Sequence, residues 1–237
     1  TSAIVEEDTA KPLPLICNCK RRKKIDFQKT DYRISKYKYH PDSLIGWSDE
    51  DFQQVKSLRL SGFDSIPQEF ARFKNVETLT LGTVDWKSPD QLDMFPRLKH
   101  LMLFGKQIDV SGSPKWLKRL EVLHASKSVF HGLKNFAQLP NIKEIKISYS
   151  GFMPFPSDFE SMQCLQYFQT GAHHRGRIEL DSINFANMPC LEFVEFQTWG
   201  KNISGLPMGM DSIKAIKIHH DNLTEEQKAI LDERANR

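Results

Sequence analysis

VKSLRLSGFDSIPQEFARFKN, residues Val55 to Asn75, places apolar side chains at its first, fourth and sixth positions. It then loosens into a run marked by Ile66-Pro67, Phe70 and Phe73. An isolated strand followed by a loop would leave no trace elsewhere in the chain, whereas one turn of a periodic structure would recur in phase.

It recurs. VETLTL from Val76, LKHLML from Leu98, LEVLHA from Leu120 and IKEIKI from Ile142 repeat the opening, followed by LQYFQT from Leu165, LEFVEF from Leu191 and IKAIKI from Ile213. Successive starts lie 21, 22, 22, 22, 23, 26 and 22 residues apart, and the first, fourth and sixth positions are apolar in 23 of 24 cases, Thr170 being the exception. A chain that is 39% hydrophobic does not produce that by chance. A weaker ninth copy, ISKYKY with Ile34, Tyr37 and Tyr39, starts 21 residues before Val55. The second halves echo one another as well, through Phe136 with Leu139-Pro140, Phe159 with Met162, and Phe185 with Met188-Pro189. Proline just before a strand fixes φ and favours an extended predecessor, which suits a chain re-entering a sheet.

The unit resembles the leucine-rich repeat, LxxLxLxxNxL, over about Ile34 to Asn222. Where that family places asparagine, this chain has Phe63, Val84, Lys106, Ser128, Ser150, His173, Trp199 and Asp221, so the repeats are divergent. The resemblance implies an α/β fold, a solenoid with a curved parallel sheet of about nine short coils. Each coil cannot bury its apolar edge alone, and stacking aligns the edges into one core. Repeats this short leave little room for a full α-helix on the return, so 3₁₀ turns or extended segments are expected there. Residues 1–33 are expected to form a basic arm or cap, and 34–237 the solenoid, with extra residues at Gly171 to Arg177 bulging as a loop. Ser48 to Asp51 opens an expected short helix, and Thr224 to Gln227 a capping box for a terminal helix at about 225–235.

The net charge of +3 is too mild to argue for nucleic acid. No apolar window reaches the length of a membrane span. The chain starts at Thr1, so a leader could precede it and localisation is open between cytoplasmic and secreted. Four cysteines are too few for a disulfide scaffold at this length.

In such a solenoid the third, fifth and seventh positions of each strand face away from the core, onto the concave surface. His100, Met102, Phe104, Val122 and His124 form one group there; Tyr149, Tyr167, Phe193 and Trp199 form another toward the C-terminal half. Outward aromatics and methionine on one face have the composition of a protein-binding hot spot, unless a return arc, the inserted loop or the N-terminal arm covers them. Cys164 and Cys190 each precede a repeat, which makes them neighbours on successive coils, either bonded to each other or stacked as free thiols. The basic run Lys20 to Lys24 fits a solvated arm or a targeting segment for an anionic membrane surface. His173-His174 and His219-His220 lack acidic partners, and Cys17 with Cys19 lacks zinc spacing. Asn202-Ile203-Ser204 and Asn222-Leu223-Thr224 match the glycosylation pattern.

No phosphate loop, nucleophile elbow or metal-ligand spacing is present. The family resemblance therefore implies a non-enzymatic, monomeric protein–protein interaction module of effector, inhibitor or adaptor type. It would need no cofactor and would bind its partner protein through the concave face. The alternative is a membrane-surface or cell-surface protein targeted by the basic N-terminal segment.

Overall fold

The computed structural model describes residues 17, 19, 25–28, 30–35, 41–63, 65–82, 89–112, 114–148, 151–153, 158–171, 178–197, 203–219 and 223–235. Their strands, in chain order, are β1 (Tyr32–Ser35), β2 (Ser57–Ser61), β3 (Thr78–Gly82), β4 (His100–Asp109), β5 (Val122–His131), β6 (Glu144–Ser148), β7 (Gly151–Met153), β8 (Tyr167–Gly171), β9 (Ile178–Glu179), β10 (Phe193–Gln197), β11 (Ile203–Ser204) and β12 (Ala215–His219). One parallel sheet runs β1-β2-β3-β4-β5-β6-β8-β10-β12, with β7 added beside β5, and β9 pairs with β11 separately.

The register follows from the repeat. Leu58, Leu79, Leu101, Leu123, Ile145, Phe168, Val194 and Ile216 lie in one row across the sheet. Leu60, Leu81, Leu103, Ala125, Ile147, Thr170, Phe196 and Ile218 form the next row on the same face. A slip of one residue in any coil would turn its row out of the core. All but Ile216 and Ile218, which are partly buried beside the terminal coil, are buried, Thr170 included.

The return arcs are short 3₁₀ turns, among them Gln68–Arg72, Pro89–Met94, Phe136–Gln138, Phe159–Ser161, Phe185–Asn187 and Met210–Ser212. Trp116–Arg119 forms a single α-turn, α2. These arcs bring phenylalanines into a buried file, with Phe159 in edge contact with Phe136 at 5.7 Å, Phe185 at 5.8 Å and Phe168 at 4.7 Å between ring centroids. Side chains of one coil also satisfy backbone N–H groups of its neighbour. Asp158 accepts from Phe136 N and Ala137 N, Glu160 from Asn184 N, Asp93 from Lys115 N, and Asp31 from Lys56 N and Ser57 N. Carboxylates thus bridge neighbouring coils, as do the amides of Asn75 and Asn141, which donate to Gln53 O and Lys118 O.

The two N-terminal capping signals act as written. Helix α1 (Asp49–Gln54) begins at a reciprocal capping box between Ser48 and Asp51. The terminal helix α3 spans Glu225–Ala235, with Thr224 N donating to Gln227 Oε1 and Gln227 N to Thr224 Oγ1. Ile230 in this helix is exposed.

The first coil differs from expectation. Its strand is Tyr32–Ser35, with Tyr32 beside Leu58 and Ile34 beside Leu60. Ile34 therefore fills the sixth position rather than the first, because Asp31, capping β2, sets the register. In β4 and β5 the strands continue around a corner at Gly105 and Lys127, which sit side by side with φ of 71° and 56°. Beyond it Ile108 and Phe130 turn inward and are buried. Gly132, with φ of 75°, has Ser111 N within 2.6 Å of where a Cβ would sit, so the close approach of these two coils requires glycine.

Candidate protein-recognition face

The concave face is built by the third, fifth and seventh positions of the repeats that begin at Val55, Val76, Leu98, Leu120, Ile142, Leu165, Leu191 and Ile213, and its central group is already engaged by other parts of the chain. Thr78 Oγ1 and His100 Nδ1 are hydrogen-bonded at 2.9 Å. His124 Nε2 pairs with Glu144 Oε1 on the next strand. Val122 is fully buried, while Met102 and Phe104 are half-buried.

The cover is the N-terminal arm. Phe27 packs against the His124 ring with centroids 4.9 Å apart and is buried. Its carbonyl accepts from Arg59 Nη2 at 3.0 Å. Burial, and then the Arg33 charge, lower the Arg59 pKa from its usual value. Upstream the arm is fastened by two disulfides, Cys17–Cys164 and Cys19–Cys190, with Cα atoms 5.2 and 5.0 Å apart. This corrects two expectations at once. Cys164 and Cys190 are bonded neither to each other nor left as free thiols, and the cysteines are structural despite their small number. Asp31 stands twelve positions after Cys19. Extended, that stretch reaches about 40 Å, enough to cross the seven strand spacings of ~4.8 Å from β10 to β1.

Toward the C-terminal half the face is different. Tyr167 and Phe193, on adjacent strands at the same register, stack with centroids 4.5 Å apart and planes 10° from parallel. Both remain partly accessible. Lys217 Nζ lies 6.0 Å from the Phe193 ring. Tyr167 donates its hydroxyl to Gln169 Oε1 at 3.2 Å. Burial, followed by the charge of Glu195, raises the Tyr167 pKa. Glu195 itself, two residues after Phe193 on the same face, is buried. Lys146, one strand before, is exposed. The pairing of the two rings follows directly from the repeat, but the stacking geometry and the cover of the central group were not readable from it.

Tyr149 and Trp199 lie outside the described residues, as do His173, His174, His220, Asn202, Asn222 and the basic run Lys20 to Lys24. Among the described residues no group of three or more His, Cys, Asp or Glu side chains could hold a metal ion. No described helix is long and apolar enough to cross a membrane.

A crystal structure of an internalin from Listeria monocytogenes superposes with a TM-score of 0.55 at 12% identity, covering 83% of this chain and 62% of the internalin chain. The fold is a leucine-rich-repeat solenoid. The present solenoid thus spans about three fifths of that internalin's length. A leucine-rich-repeat protein from Leptospira interrogans matches at 12% identity and a TM-score of 0.47, over 81% of this chain and 61% of the other. The Toll–Spätzle complex of Drosophila matches at 17% identity and 0.46, over 75% of this chain and 28% of the other. No family model matches the sequence, and no curated protein matches it.

Proposed function

We propose that this solenoid is a non-enzymatic protein-recognition module that holds its partner against the C-terminal half of the concave face. The observation that carries this is the Tyr167–Phe193 stack, two aromatic rings held parallel on the open side of the sheet and flanked by Lys217. Rigid aromatics of low rotamer entropy beside a cation are what binding hot spots are made of. Solenoids of stacked repeats present extended concave surfaces suited to this task. Met102 and Phe104, both half-buried on β4, extend the contact surface, whereas His100 and His124 serve the chain's own contacts.

Paired cysteines, joining an arm to coils 147 and 171 residues away, fit a protein that matures in an oxidising compartment. Comparing the proteins retained from source-cell extract by wild type and by a Tyr167→Glu/Phe193→Glu variant tests the recognition face.

A further inference from the structure

The segment Ile25 to Gln28 lies on the same sheet face that the proposed partner would use, and it makes contacts of the kind a bound peptide makes. An aromatic side chain is buried against His124. A backbone carbonyl and a side-chain oxygen, Phe27 O and Gln28 Oε1, are both held by Arg59 Nη2, at 3.0 and 3.4 Å. Thr80 and Val122 on the same face also point outward from their strands and are buried. Neither end of the segment is free. Cys17 and Cys19 fix the upstream chain to the coils that begin β8 and β10, and Asp31 fixes the downstream chain to β2.

We propose that Ile25 to Gln28 is a tethered occupant of the chain's own concave groove, and that the groove's external ligand class is an extended protein segment bearing an aromatic side chain. This rests on the concave face being the recognition face. A tether supplies its ligand at an effective concentration on the order of millimolar. An external segment therefore gains the groove only when the internal anchor is weakened or the two disulfides are opened by a dithiol. In that exchange each disulfide becomes two thiols as the dithiol is oxidised to its cyclic disulfide.

The test uses the full chain and a fluorescein-labelled peptide of residues 25–31, read by fluorescence anisotropy. Phe27→Ala in the oxidised full chain should bind the peptide at least tenfold more tightly than wild type. Adding Arg59→Ala should remove that gain, and a peptide with alanine in place of its phenylalanine should not bind. Equal binding to wild type and Phe27→Ala overturns the proposal, as does an absence of binding to both. Hydrogen exchange on the unaltered protein gives an independent reading. Residues 25–28 should be protected when oxidised and lose that protection in dithiothreitol while β2 to β6 keep theirs. Exchange at 25–28 as fast as in the free peptide before any reduction would also overturn it. Neither readout involves Tyr167 or Phe193, so failure of this inference is distinguishable from failure of the C-terminal recognition face.

Discussion

Cys164 and Cys190 stand at equivalent places on adjacent coils, three residues before register partners Tyr167 and Phe193, yet each is bonded to a cysteine of the N-terminal arm. The repeat places the two cysteines on neighbouring coils, and the arm bonds one each. The N-terminal segment is thereby part of the solenoid's face rather than a free extension.

A tryptic digest without reductant tests the pairing, because no lysine or arginine lies between Cys17 and Cys19. The expected product is a three-chain cluster joining the peptide that holds both N-terminal cysteines to the peptides of Cys164 and Cys190. A two-chain species linking only the Cys164 and Cys190 peptides would contradict it.

The buried phenylalanine file concentrates stability on the return arcs. Phe159 touches Phe136, Phe168 and Phe185 and is almost wholly inaccessible. Phe159→Ala should cost about 3–5 kcal/mol in chemical unfolding, the usual range for such a cavity. A loss below about 1 kcal/mol would mean that the coils are not packed through this ring.

Asp158 bridges coils by accepting from two backbone N–H groups, at 2.7 and 3.1 Å. Asp158→Ala strands both donors and should cost about 1–3 kcal/mol. Asp158→Asn retains an acceptor oxygen and should recover part of the loss. Equal stability of the two variants in urea titrations would argue against the bridge.

The Tyr167 hydroxyl titrates above its ordinary value, through burial first and the Glu195 charge second. A phenol whose folded pKa is raised contributes stability that is full below about pH 10, the unfolded value, and is lost as pH rises through the folded one. Phenolate absorbance should therefore show one late-ionising tyrosine that is absent from Tyr167→Phe. Glu195→Gln should bring that ionisation earlier without normalising it, since the burial contribution stays.

The solenoid was legible because stacking forces the same three positions of every coil into one core, and 22-residue spacing survives substitution of individual residues. Val55, Leu58 and Leu60 all fill the places their spacing assigns, as do Phe70 and Phe73 behind them. What connects coil to coil was less visible. Asp158, Asp93 and Glu160 reach 21 to 24 residues back or forward to backbone donors, and no periodic signal marks a single polar side chain as a bridge. The second position carries one overlooked trace: Glu77, Lys99, Glu121 and Lys143 alternate in sign, and Lys143 pairs with Glu121 at 2.7 Å. The first coil was misplaced by its hydrophobic spacing, which set Ile34 at the first position, whereas Tyr32 and Ile34 stand beside Leu58 and Leu60; Tyr37 and Tyr39 lie outside the described residues. The outward face was read correctly as a face but not as a partly covered one. Phe27 precedes the first coil and lies 97 residues from His124 in sequence, and only the fold brings the two together.

The most direct measurement is affinity capture from the source cell by three immobilised chains: wild type, Tyr167→Glu/Phe193→Glu, and Ile45→Glu on an exposed residue outside the sheet's concave face, each checked by circular dichroism for an intact fold. A partner retained by wild type and by Ile45→Glu and lost from the double variant is the predicted result. Retention of the same partner by all three would contradict recognition through the Tyr167–Phe193 face.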